Sequence, residues 1–103
     1  MSDDRRPGPE PLGDVLKEFL RGSEIGQRVA EASAVPEWAD RVGGAIAAVT
    51  TPLRVSRGTL LVAVRSSAWL MELRLMERDI LRRLNAGRAE GRIERIRFVM
   101  ADA

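Results

Sequence analysis

The apolar residues of this chain change their spacing twice, and that change limits the folds open to it. Between residues 53 and 65 they recur at every second position. Leu53 and Val55 alternate with Arg54 and Ser56, and Leu60, Val62 and Val64 alternate with Thr59, Leu61, Ala63 and Arg65. A period of two belongs to strands that bury one face. Arg57-Gly58 between the two runs is a turn signal, so the segment predicts a β-hairpin. Over residues 67–85 the spacing becomes helical. Trp69, Leu73, Met76, Ile80 and Leu84 form one stripe, widened by Leu70 and Leu81, with Ser66 or Ser67 placed to cap its start. Asn85 and Gly87 suit its C-terminus. Ile96, Phe98 and Met100 then alternate with Arg95, Arg97 and Val99, which predicts a third strand.

The N-terminal half reads as helices. Residues 1–10, with Pro7, Gly8 and Pro9, predict a disordered leader, and residues 11–101 a single domain. Leu12, Val15, Leu16, Phe19 and Leu20 recur at helical spacing until Gly22. Ser23 is placed to cap a short second turn carrying Ile25 and Val29. Pro36 suits a first helical position, with Glu37 favourable to the helix dipole. A helix from there puts Trp38, Val42, Ala45 and Ile46 on one face, and Gly43-Gly44 in its middle predicts close approach of a neighbouring backbone. The expected architecture is α+β, in the order α-(α)-α-β-β-α-β. It has a three-stranded sheet with helices packed on one face and a right-handed crossover between the last two strands.

The chemistry open to these residues is narrow. The chain has 103 residues, no cysteine and no histidine. That excludes disulfides, thiolate and imidazole metal sites, and Cys–His or Ser–His nucleophiles. The carboxylate pairs Asp3-Asp4 and Glu77/Asp79 lack a supporting cluster and read as solvated charges. There is no Walker or GxGxxG motif, and Gly87 and Gly91 are separated by three residues, one too many for the GXXG clamp of RNA-binding KH domains. No apolar run reaches membrane-spanning length, and none follows the N-terminus as in a signal peptide. The expectation is a cytoplasmic, non-enzymatic binding or adaptor module without cofactor, metal or small-molecule substrate.

Charge is unevenly spread. Residues 1–50 carry six basic and nine acidic side chains; residues 51–103 carry eleven and six, and all eleven cations are arginines. Arginine suits phosphate forks. It is also what a GC-rich genome supplies, so an ordinary solvated surface stands beside nucleic-acid binding as a reading. Two surfaces are candidates. Arg74, Arg78 and Arg82, with Arg83 beside them, lie opposite the apolar stripe of the long helix. Arg54, Arg65, Arg95 and Arg97 lie on the outward strand positions, with Arg88 and Arg92 in the loop between. Asp79 is placed to pair with Arg82 or Arg83, and Glu77 lies near Arg74. Trp38 and Trp69 fall on apolar stripes, so no aromatic platform for stacking bases is expected. Leu61, Met71 and Leu75 are apolar at outward positions and form a candidate partner patch.

The segments Trp38-Ala-Asp-Arg-Val-Gly43, Thr51-Pro52, Gly58-Thr-Leu-Leu-Val-Ala-Val64, Ser66-Ser-Ala-Trp69, Glu72-Leu73, Ile80-Leu-Arg-Arg-Leu-Asn85 and Ile93-Glu-Arg-Ile-Arg-Phe98 occur in an order and spacing that resemble the DciA-like family. The resemblance covers roughly residues 12–100. It implies a type II KH-like fold without the GXXG loop, and a role in replication through the replicative hexameric DNA helicase and its loading on single-stranded DNA. It also implies DNA binding through basic surfaces, single-stranded DNA preferred. Trp38, Gly43, Pro52, Gly58, Trp69 and Leu73 match the motif as fold determinants, and no catalytic residue is implied. Many members carry a basic flexible extension beside this domain, whereas this chain ends directly after its last strand. The alternatives are a protein–protein adaptor or homo-oligomerising module with no nucleic-acid role, and a small RNA-binding KH relative, which the missing GXXG disfavours.

Overall fold

Residues 24–102 are described by the computed structural model. Helices α1 (Glu24–Ala32), α2 (Ala34–Val42) and α3 (Gly44–Ala48) precede strands β1 (Thr50–Ser56) and β2 (Thr59–Val64). Helices α4 (Ser67–Leu75) and α5 (Glu77–Asn85) and strand β3 (Arg95–Met100) follow. The leader expected over residues 1–10 and the helix expected through Leu12, Val15, Leu16, Phe19 and Leu20 lie outside the described residues.

The class is α+β, as the period changes predict. The sheet order is β1-β2-β3. β1 and β2 are the expected hairpin, antiparallel, and its turn residues Arg57 and Gly58 both have positive φ (51° and 80°). Such turns match the twist of the flanking strands. β3 returns parallel to β2, with Leu60 opposite Ile96 and Val62 opposite Phe98. A parallel neighbour needs a crossover, and α4 and α5 supply it.

The core lies between the sheet and the helices. Leu60, Val62, Val64, Ile96 and Phe98 meet Trp38, Val42, Ile46, Leu73, Ile80 and Leu84, all buried. Two polar links fix the layers. Trp38 Nε1 donates to Thr50 Oγ1 at 2.8 Å, and that hydroxyl donates to the Ile46 carbonyl at 2.7 Å, tying α2, β1 and α3 together. Buried Asn85 grips the backbone of Ile93, donating from Nδ2 to its carbonyl (2.9 Å) and accepting its N–H at Oδ1 (2.7 Å).

Several sequence expectations need correction. The helix over 67–85 is two helices. Met76 (φ −95°, ψ 4°) shares its N–H between the carbonyls of Glu72 and Leu73, and α5 starts afresh beyond it. A straight helix over this span would run about 28 Å, whereas six-residue strands span about 20 Å. The break keeps both halves over the sheet, and Leu73, Ile80 and Leu84 remain fully buried across it. It also places Glu77 Oε2 to accept the Ile96 N–H at 2.9 Å.

The helix expected through Gly43-Gly44 also breaks. Gly43 has φ 93°, ψ 162°, a conformation that needs glycine, and a Cβ on either glycine would meet nothing within 4 Å. The pair is therefore not a close backbone contact, and Ala45 is exposed. Pro36 is the third residue of α2, because Ala34 already starts the helix. The α1 segment is helical, but Ile25 (63% exposed) and Val29 (60%) face away from the core. Its inner face is Gly26 and Glu31 instead, with Ala30 laid on Gly91. Gly91 has φ 70°, and a Cβ there would come within 2.5 Å of the Ala30 Cβ. Leu53 is exposed at a register irregularity between Pro52 and Arg54, and Met100 is exposed at the strand end. The bulge suits a proline on an edge strand.

Asn85→Ala leaves a buried N–H and a carbonyl of Ile93 without partners. We expect it to lower unfolding free energy by about 3 kcal/mol, measured by urea denaturation.

Candidate nucleic-acid interface

The side chains that alternate away from the core form an open sheet face. Strand register sets them in rows. Arg54, Leu61 and Arg97 form one row across β1, β2 and β3. Ser56, Thr59 and Arg95 form the row toward the hairpin turn, and Thr51, Ala63 and Val99 the row on the other side. Arg65 extends the face past the end of β2. Arg54, Ser56, Thr59, Leu61, Arg97 and Val99 line one shallow groove. Four arginines therefore share a face whose rows contain no carboxylate. None of the four side chains has an ion-pair or hydrogen-bond partner among the described residues. Arg54 and Arg97 sit two strand spacings apart, about 10 Å. Unpaired like charges at that distance repel, and an anion between them relieves the cost.

The second candidate surface is divided. Arg74 lies on α4, and Arg78 and Arg82 on α5 beyond the break at Met76, so the three are not one straight row. All are exposed. Arg74 and Arg78 are unpaired among the described residues. Asp79 pairs with both Arg82 (3.3 Å) and Arg83 (3.2 Å), as the spacing suggested. Arg83 also donates to the Val42 carbonyl. Glu77, placed near Arg74 by the sequence, is engaged with Ile96 instead. Arg92 is exposed in the loop before β3.

Arg88 is not a surface cation. Its side chain is 7% exposed, and its guanidinium joins three helices. Nε donates to the Leu84 carbonyl, Nη1 to those of Ala30 (2.9 Å) and Gly91, and Nη2 to Ser33 Oγ and Glu37 Oε1 (3.0 Å). These acceptors include carbonyls from the helix ends of α1 and α5, which a cation satisfies well. Arg41 does similar work, donating to the carbonyls of Arg83 and Ala86 at the end of α5. The sequence offered no sign of which arginines turn inward. The nearest hint was position, since both stand close to a helix end.

The motif residues take these places. Trp38 and Leu73 are buried, Trp69 is half-buried, and its backbone N–H donates to the capping Ser66 Oγ. Gly58 closes the hairpin turn and Pro52 adjoins the bulge. The proposed patch of Leu61, Met71 and Leu75 does not form. Leu61 lies on the open sheet face, while Met71 and Leu75 project from α4 in the helical layer. Among the described residues no three carboxylates gather to hold a metal, and no helix is long and apolar enough to cross a membrane.

Residues 11–98 match the family described as Dna[CI] antecedent, DciA. The chain belongs to the DciA family. A UPF0232 protein of Mycobacterium leprae (strain Br4923) is 34% identical over 83 residues, 81% of this chain and 44% of that protein. One from Mycolicibacterium smegmatis is 31% identical over 91 residues, 88% of this chain and 47% of that protein. One from Mycobacterium tuberculosis (strain ATCC 25618 / H37Rv) is 33% identical over 78 residues, 76% of this chain and 42% of that protein. The chain spans less than half the length of these curated relatives. The family match covers both the helical layer and the sheet of this DciA-family domain.

Replacing Arg88 by Ala leaves the carbonyls of Leu84, Ala30 and Gly91 without this donor, while Glu37 keeps Arg41 at 3.6 Å, and we expect a loss of about 2 kcal/mol. Arg97→Ala should stay within about 0.5 kcal/mol of the parent. Thermal denaturation of the two variants separates the internal arginine from the surface one.

Proposed function

We propose that this DciA-family domain is a non-enzymatic accessory of DNA replication that binds DNA, single strands preferred, through its open sheet face in the cytoplasm. The observation that carries the reading is the row Arg54–Leu61–Arg97, with Arg65 and Arg95, on strand rows that hold no carboxylate among the described residues. Serine and threonine hydroxyls between the cations supply further phosphate donors. Arg74, Arg78, Arg82 and Arg92 add a weaker flank, to which Arg83 contributes only in part. Family membership supports a replication-associated role in general. Contact with the replicative hexameric helicase, and promotion of its loading on single-stranded DNA, extend that role to this chain. The mixed three-stranded sheet with helices on one face supports the KH-like part of the resemblance. The absence of histidine and cysteine from the sequence supports a binding role over catalysis.

The mode follows from the chemistry. Among the described residues no aromatic platform is exposed, so affinity rests on phosphates, with slight sequence preference and steep salt dependence. Four phosphate contacts give a slope of about −3 in log affinity against log salt for a single strand. We expect Arg54→Glu with Arg97→Glu to weaken oligo-dT binding at least tenfold by fluorescence anisotropy, with the melting temperature unchanged. Parental affinity in that double variant would overturn the sheet-face assignment. A titration against the replicative helicase of the same organism, with and without single-stranded DNA, tests the partner. Saturable binding and increased loading are expected, and no binding at micromolar concentrations would overturn the helicase part.

One observation favours the adaptor reading. Met71 (67% exposed) and Leu75 (84%) stand one turn apart on α4. A concentration-dependent dimer in sizing chromatography that Leu75→Asp abolishes would support it, and a sharp monomer at high concentration would remove it.

A further inference from the structure

Among the described residues the outer edge of β3 is open over part of its length. Strand residues direct their N–H groups alternately to the two sides. Glu94 and Arg95 donate to the Gly58 carbonyl and Ala101 to that of Val64, so the odd-numbered amides of β3 face β2. Ile96 donates the other way, to Glu77 Oε2. The N–H groups of Phe98 and Met100 therefore point to the open side, and no acceptor meets them among the described residues. Glu77 blunts the edge only at Ile96. Beyond it a groove runs between β3 and α4, lined by Leu70 and Met100 and flanked by Arg74 from the helical layer and Arg97 from the sheet face.

We propose that this edge takes an extended, acidic segment of a partner protein as a fourth strand. The two open amides, with the carbonyls of Ile96 and Phe98, repeat at the ladder spacing of a strand backbone, which a peptide matches residue for residue. Alternate side chains of the added strand fall on the two sides. One set meets Leu70 and Arg74, the other Arg97 and Val99, so apolar and carboxylate side chains suit the site. A second copy of this chain fits poorly, because β3 against β3 joins two copies of the Arg95–Arg97 face in one sheet. Nucleic acid fits poorly too. The Phe98 side chain is buried in the core and offers no stacking surface, and a sugar-phosphate backbone has no alternating N–H and C=O groups to continue the ladder.

Met100→Pro tests the edge directly. It deletes an amide that faces away from β2, so the ladder to β2 is kept, and proline is tolerated at such edge positions. The probe is a fluorescein-labelled octapeptide alternating Glu and Val, with a Lys-Val octapeptide as control and oligo-dT titrated in parallel. We expect saturable binding of the Glu-Val peptide with shifts of the Phe98 and Met100 amide resonances. Met100→Pro should bind it at least tenfold more weakly while its oligo-dT affinity is unchanged. If the proline variant melts early, Arg74→Glu replaces it, with the same loss of peptide binding expected. The proposal is overturned by no peptide binding, by equal binding of the Lys-Val peptide, or by parental affinity in a folded variant. Protection of both amides in the concentrated protein alone would assign the edge to a second copy. Displacement of the peptide by oligo-dT with shifts of the same amides would assign it to nucleic acid. A peptide failure with intact oligo-dT binding leaves the DNA reading standing.

Discussion

A short sheet whose third strand returns parallel to the second has to place its crossover over one face. β2 and β3 are neighbours and parallel, so the chain between them passes over the sheet as α4 and α5. That crossover, with α2 and α3 beside it, covers the inner face and draws Trp38, Ile46, Leu73, Ile80 and Leu84 into one core. The described chain has no helix left for the other face. Its outward positions are therefore short, polar or cationic, and three apolar residues in the middle, Leu61, Ala63 and Val99, are only half-buried. The exposed sheet and the enclosed core are two consequences of the same connection.

The arginines divide by what surrounds them. Arg88 and Arg41 hold carbonyls at helix ends, and Arg83 spans α5 and α2, so these cations belong to the architecture. Arg28 and Arg82 are held by carboxylates on their own helices. Among the described residues the sheet-face arginines have neither role. Codon bias would account for Arg in place of Lys, but it would not account for the missing carboxylates in the rows around it. A surface neutral by design would interleave both signs, as α5 does with Asp79. The contrast between α5 and the sheet face, within one composition, is what supports the proposal of a binding surface on the sheet.

The hairpin, the last strand and the apolar stripe over 67–85 were legible because each rests on a local period. The outward arginines of β1, β2 and β3 followed directly, since alternation assigns a face without knowing the fold. What failed was set by tertiary length and by side-chain contacts. No glycine or proline marks the break at Met76; it answers the short sheet beneath. Gly43-Gly44 was visible as a weak point, but whether it meant contact or backbone conformation depends on φ alone. Ile25 and Val29 are the apolar residues of α1 at helical spacing, yet α1 turns Gly26 and Ala30 inward because Gly91 lets the backbones approach. Arg88 reads like any other loop cation until Ala30, Ser33 and Glu37 are brought round it from more than fifty residues away.

Arg97 stands where the two proposed surfaces meet. It belongs to the row Arg54–Leu61–Arg97 on the open face and also lines the groove along the edge of β3. A phosphate and a carboxylate at this corner draw on the same guanidinium, so occupancy of one surface weakens the charge available to the other. Full competition is not required, because Arg54 and Arg65 lie toward β1 and the strand end, and Arg74 lies in the helical layer. If both proposals hold, the shared Arg97 implies partial antagonism between an anionic strand on the face and an acidic segment at the edge. That coupling is electrostatic and falls with salt. Coupling through a change in backbone structure would persist at high salt, and the corner at Arg97 offers only the first kind.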